Sequence, residues 1–163
     1  MTTMKLSIPI FLLLLSTMVC IAKDKTCPSP ETVKDSKFHP GQVWQYKTRL
    51  GEEKSFLTIL RVESLPKGGM IIHVRVDNVR LRNCTGGPEP DKFEHMPFTR
   101  DAIEHSVTKL LKENSEIPDY KTGYDEWHSA CGGVYTITVA EAVAVSEATF
   151  RSGLGCDSTV PTE

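Results

Sequence analysis

The chain has 163 residues, a formal net charge of −2, 39% hydrophobic and 25% charged residues, and five cysteines. That is the composition of one ordinary globular domain, and it excludes a low-complexity or disordered chain. With acidic and basic residues nearly balanced and no basic run, neither nucleic acid nor an anionic membrane surface is favoured as a partner.

The first element is an export signal. Lys5 supplies the positive start, Leu6 to Val19 the apolar stretch, and Cys20-Ile21-Ala22 the small residues that a signal peptidase reads, which puts cleavage before Lys23. The apolar run falls short of the roughly 20 residues that cross a bilayer comfortably, and Pro9 weakens a helix there. Membrane attachment enters only as the alternative in which Cys20 is lipidated, and Val19 is a poor predecessor for that reaction. The expected organisation is a signal over 1–22, an N-terminal arm over 23–40, one α+β domain over 41–156 and a flexible tail over 157–163.

Cleavage leaves Cys27, Cys84, Cys131 and Cys156, an even set in an oxidising compartment where thiols pair. Three pairings are open. The expected layout favours Cys27 with Cys84 and Cys131 with Cys156, the first holding the arm and the second the tail. No two of the four form a Cys-x-x-Cys pair, so neither a metal site nor a cofactor is expected.

Along the mature chain, Lys23 to His39 reads as an arm that Cys27 pins, with Pro28 and Pro30 among polar residues. Gln42 to Arg49 alternates Trp44, Tyr46 and Thr48 against Gln45, Lys47 and Arg49, the period of a half-buried strand, and its aromatic residues read as core. Ser55 to Ser64 is apolar on both sides in its first half and reads as a central strand. Pro66-Lys67-Gly68-Gly69 turns the chain into a third strand, Met70 to Val76. Beyond Asp77-Asn78 the spacing of Val79 and Leu81 points to a hairpin and a short fourth strand, and Asn83 to Lys92 is a loop.

Thr99 caps a helix predicted over Arg100 to Asn114, with Ile103, Val107, Leu110 and Leu111 as its stripe. A second helix is predicted from Pro118 to Ala130 with Tyr120, Tyr124 and Trp127 on one side. Val134 to Ile137 reads as a short strand, and Thr138 with Glu141 has the spacing of a capping box opening the last helix. The expectation is therefore an α+β fold: an antiparallel sheet of three to four strands, two helices, a short strand and a C-terminal helix.

Three segments carry a resemblance: Gly41 to Arg49, His95-Met96-Pro97-Phe98, and Ile137 to Val143. They resemble a group of small exported bacterial proteins of unassigned function. The resemblance implies a bacterial envelope or extracellular setting and supplies no catalytic residue.

The candidate chemistry is sparse. Glu94-His95 and Glu104-His105 put a carboxylate beside an imidazole, but neighbouring side chains diverge and neither pair forms a His-Glu-x-x-His array. Of these His95 is the stronger candidate, with Glu94, in a stretch expected to be a loop beside a helix start. Its bland role is to brace that loop. On the polar side of the sheet, His73, Arg75 and Arg61 form a candidate binding face, against the commoner reading of a solvated row. Asn83-Cys84-Thr85 is a glycosylation acceptor in a eukaryotic secretory setting and a coincidence in a bacterial one. No serine-elbow, phosphate-loop or dinucleotide motif occurs. The sequence thus points to an exported, non-catalytic binding module whose partner is an envelope or secreted protein, with a small envelope hydrolase using His95 and a lipid-anchored protein as alternatives.

Overall fold

A computed structural model describes residues 27–66 and 68–156; the predicted export signal with Cys20 and the expected tail from Asp157 onward lie outside them. Six strands form one antiparallel sheet: β1 (Glu31–Thr32), β2 (Val43–Tyr46), β3 (Phe56–Leu65), β4 (Gly69–Asp77), β5 (Lys92–Thr99) and β6 (Val107–Lys112). The helices are α1 (Arg100–Ser106), α2 (Lys121–Ser129) and α3 (Val139–Gly153). The order across the sheet is β5-β4-β3-β2-β6, with β1 pairing β3 on the side that β2 also uses.

The three strands expected at the start are present as β2, β3 and β4, and alternation explains them. Val62, Ile72, Val74, Met96 and Phe98 point to one face, where α1 and α3 close the core with Ala102, Ile103, Val139, Ala142 and Val143. A bulge between Ile59 and Arg61 inserts Leu60 into β3. Because one extra residue shifts the pleat, Ile59 and Val62 both reach the core face, while Arg61 and Glu63 turn to the opposite face beside His73.

Several expectations are corrected. The helix predicted to Asn114 ends at Ser106, and Val107 turns extended (φ −71°, ψ 147°) to begin β6 along the otherwise open edge of β2. Cross-strand pairing there outweighs a helical spacing of apolar residues, and Leu110 and Leu111 end up exposed. The stretch holding His95 is a strand, β5, rather than a loop. Pro97 fits because it lies on a terminal strand, where its missing N–H removes nothing from the β4 ladder. Val79 and Leu81 are buried without forming a fourth strand; their amides donate to the carbonyls of Asp91 and Pro90. The segment Val134 to Ile137 contributes a single parallel bridge, Tyr135 to Phe98.

The arm is part of the fold. β1 pairs with β3, and Phe38 is fully buried edge-on to Trp44, with Arg100 over its ring at 5.4 Å. Asp35 accepts from the amides of Lys37 and Phe38 and from Arg100, which locks the turn that delivers Phe38. All four described cysteines are in disulfides, but paired Cys27–Cys131 and Cys84–Cys156, not as the layout favoured. The arm runs back along β3 to the end of α2, which brings Cys27 to Cys131 rather than to Cys84. The second bridge joins the loop after β4 to the residues just past α3, and from the middle of that helix Glu147 binds Arg49 and Arg82.

The last helix begins as predicted, with Thr138 and Glu141 closing a complete capping box. Among the described residues no helix is long and apolar enough to cross a membrane. Two disulfides fit an oxidising extracellular or periplasmic compartment.

Candidate functional site

The face of the sheet away from the core carries a buried polar chain. Glu63 on β3 and His73 on β4 are both fully buried, and His73 Nε2 lies 3.1 Å from Glu63 Oε2. On the other side of the same ring, His73 Nδ1 lies 2.8 Å from His95 Nε2 on β5. Glu63 also accepts from the Arg61 guanidinium and from the Tyr124 hydroxyl at 3.1 Å. Burying a carboxylate is expensive unless every lone pair is used. Here three donors converge on it.

The hydrogen-bond pattern fixes both tautomers. Glu63 surrounded by donors is an acceptor, so His73 donates through Nε2–H and accepts at Nδ1. His95 therefore donates through Nε2–H, and its lone pair is on Nδ1. No described hydrogen bond uses that atom. Because no fully buried side-chain polar atom among the described residues lacks a partner, His95 Nδ1 keeps some contact with solvent.

Burial dominates the electrostatics. Loss of solvent, with the neighbouring His95 and Arg61, pushes His73 down to about 3. Burial alone pushes His95 down to about 4, despite the carboxylate at the far end of the chain. Both rings are neutral at neutral pH. Tyr124 is pushed up to about 12, first by desolvation and then by Glu63, so it remains a donor.

Helix α2 is the cover. It has no buried residue of its own, and it meets the sheet through rings: Trp127 and Tyr124 stand edge-on to His73 at 4.9 and 5.3 Å, and Tyr120 lies nearly parallel to His95. Close approach requires Gly123, where a Cβ would fall 2.9 Å from His95 Cβ. At the C-terminal end, Trp127 packs so tightly over Gly132 that a Cβ there would lie 2.2 Å from its ring. Cys131, at a left-handed φ of 50°, then makes the bridge to Cys27.

Between β5 and α2 runs an open groove of about 540 Å³, lined by Phe93, His95 and Pro97 on one side, Glu126 and Trp127 on the other, and Tyr135 at its end. Across it the Tyr135 and Ser146 hydroxyls bond each other at 3.0 Å.

The candidate residues are thus partly assembled. His95, His73 and Arg61 meet in one network. Glu94 stays outside it, half-exposed and paired with Arg75 and Lys92, so the carboxylate behind His95 is Glu63, reached through His73. Arg75, only partly exposed, pairs with Asp77 and Glu94 rather than joining the network. His73 lies beneath the rings of α2. Glu104 and His105 do not touch: Glu104 binds Lys37 and Arg100, and His105 Nδ1 bonds the Asp101 carbonyl. Glu63 and Tyr124 were not legible as partners. The available signal was a carboxylate inside an apolar strand two residues from an arginine, since such a group needs buried partners.

Among the described residues no three His, Cys, Asp or Glu side chains are grouped as metal ligands would be. The fold and site together define a disulfide-braced α+β domain with a polar chain opening on a groove. No protein-family model, no curated protein and no solved structure matches this chain.

Proposed function

We propose that the protein is an exported, non-catalytic binding module that takes its ligand in the β5–α2 groove, with His95 Nδ1 as a fixed acceptor. The observation that carries the reading is the polarity of the chain. Glu63 and His73 spend a fully buried ion-dipole network on holding one ring nitrogen as donor, and so leave the other as a neutral acceptor that keeps some contact with solvent. A prearranged acceptor loses little freedom when a ligand arrives. Two disulfides stiffening the surface fit work outside the cytoplasm on an envelope or secreted partner.

A small envelope hydrolase draws on the same relay, since a carboxylate that orients one imidazole behind another resembles the support of a general base. Two observations weigh against it. A ring held down to about 4 is a weak base at neutral pH, and the groove hydroxyls of Tyr135 and Ser146 bond each other rather than His95.

Immobilised wild-type protein and its His95→Gln variant, exposed to envelope and secreted fractions, separate these readings. A component retained by wild type at micromolar concentration and lost by the variant is expected. Equal retention by both refutes the assignment, and p-nitrophenyl acetate turnover abolished in His95→Gln favours the hydrolase.

A further inference from the structure

Three guanidiniums meet at one end of the molecule, although the chain as a whole is slightly acidic. Arg49 stands in the turn between β2 and β3, and Arg80 and Arg82 follow β4 in the segment whose Val79 and Leu81 are buried. Alternate residues of an extended segment point to opposite sides, so with Val79 and Leu81 inward both arginines project outward together. With Leu50, Glu52 and Glu147 the three arginines line a cavity of about 450 Å³ that shares no residue with the β5–α2 groove.

The two carboxylates account for Arg49 and for the inner edge of Arg82. Both are buried, and a buried carboxylate needs its lone pairs answered. Glu52 accepts from Nε and Nη2 of Arg49 and, at 2.7 Å, from the Arg80 amide. Glu147 accepts from Nη1 of Arg49 and from the amide and Nε of Arg82. Neither uses the Arg80 guanidinium: the described bonds of Arg80 are those of its backbone alone. Nη1 and Nη2 of Arg82 are likewise outside the described bonds, on a side chain that is 70% exposed.

Satisfying the glutamates therefore leaves one whole guanidinium and the outer half of another, with three positive charges facing two negative ones. The backbone beneath them is held. Glu52 and Arg49 bind the Arg80 amide and carbonyl, Arg80 Nη1 lies 3.8 Å from where a Cβ on Gly51 would stand, and the Cys84–Cys156 bridge ties the segment beyond to the residues just past α3. Planar N–H forks directed outward, with charge left uncancelled, match the oxygens of a phosphate group. Leu50, wholly exposed, gives the same cavity an apolar lip.

We propose that this cavity binds a phosphate group through the outer N–H donors of Arg80 and Arg82. A lipid headgroup and a soluble phosphate ester share that chemistry, and they differ in whether Leu50 takes part.

The probes are glycerol 3-phosphate, titrated into ¹⁵N-labelled protein at constant ionic strength, and mixed phosphatidylglycerol–phosphatidylcholine vesicles in a sedimentation assay. Glycerol 3-phosphate is expected to shift the amides of Arg80 and Arg82. Arg80→Gln removes no described bond, so the variant should unfold as wild type does and bind about tenfold more weakly, the scale of a hydrogen bond to a charged group. Vesicles that sediment wild type but not Arg80→Gln assign a lipid headgroup, and Leu50→Ser should then weaken sedimentation about tenfold, the scale of one buried leucine. Vesicles that leave the protein in solution while glycerol 3-phosphate shifts these amides assign a soluble ester. The inference is overturned if neither probe engages these residues, with glycerol 3-phosphate raised to about 10 mM, well above a millimolar dissociation constant. It is overturned equally if sodium chloride reproduces the shifts, or if Arg80→Gln binds as wild type does.

Discussion

Acid should weaken this fold well before its carboxylates titrate. His73 and His95 have native values of about 3 and about 4, against about 6.5 for imidazole in an unfolded chain. Between those limits the unfolded chain binds protons that the native state refuses, so stability rises with pH there and is lost as pH falls below the unfolded value. For one histidine that stays neutral in the native state, moving from pH 7 to pH 5 removes about 1.9 kcal/mol. His73, fully buried, carries that whole amount, and His95, partly exposed, is counted at about half, giving roughly 3 kcal/mol together. Loss continues towards pH 4 for His95 and pH 3 for His73. Glu147, pulled down to about 2 despite its burial, and the other lowered carboxylates contribute only once free carboxylates begin to protonate near pH 4.3. The interval from pH 7 to 5 therefore isolates the imidazoles. Urea unfolding at pH 7, 6 and 5 measures the change, and His95→Asn should reduce it by about a third. A wild-type midpoint that moves by less than about 1 kcal/mol equivalent across that interval would refute the assignment of both rings as buried and neutral.

Two further outcomes follow from packing and connectivity. Gly123→Ala would gain about 1 kcal/mol of helix propensity on an isolated helix, yet its Cβ would meet His95 Cβ at 2.9 Å, an atom too close to the backbone to swing aside. The variant is expected to be net destabilised by about 1 kcal/mol and to shift the His95 ring resonances, as thermal melts and imidazole spectra would show. Non-reducing peptide mapping should recover Cys27 with Cys131 and Cys84 with Cys156. Replacing either pair by serine should cost about 2 to 5 kcal/mol, measured by denaturant titration, and the Cys27/Cys131 replacement should also raise amide exchange across α2 selectively.

What the sequence reveals tracks where one interaction dominates. β2, β3 and β4 are legible because a half-buried strand imposes period two on its apolar residues, and α3 because Thr138 and Glu141 bond each other's backbone locally. β5 and β6 are hidden for the opposite reason. Both are terminal strands whose state depends on a neighbour's open edge, and Val107, Leu110 and Leu111 have helical spacing as well. The bulge at Leu60 leaves no signature of its own, yet it decides that Arg61 and Glu63 share a face with His73. Hence His73, Arg61 and His95 were legible as polar candidates one by one, but their convergence on Glu63 under Tyr124 was not. That convergence needs the bulge, the β5 pairing and the Cys27–Cys131 bridge at once.

The two long helices are held by different physics, and that difference bears on why the polar chain exists. α3 buries Val139, Ala142 and Val143 in the core, whereas α2 buries nothing and rests on rings, one hydroxyl and a disulfide. If Glu63 and His73 served only to seat α2, apolar side chains of similar volume would serve as well, because replacing a whole buried ionic pair is often neutral or stabilising by about 1 to 4 kcal/mol. Removing one partner is different: Glu63→Ala strands His73 and Arg61 and should cost about 3 kcal/mol. The double variant Glu63→Leu/His73→Phe therefore separates glue from function. Arg61 and Tyr124 are partly exposed and can turn to water, so the variant is expected to unfold within about 1 kcal/mol of wild type at pH 7 and to lose most of the acid sensitivity. His95 would then have no fixed donor partner, its tautomers would interchange, and partner retention in the groove should fall with stability intact. Retention unchanged in a stable double variant would show that the chain merely seats the helix, and would move the recognition site away from His95.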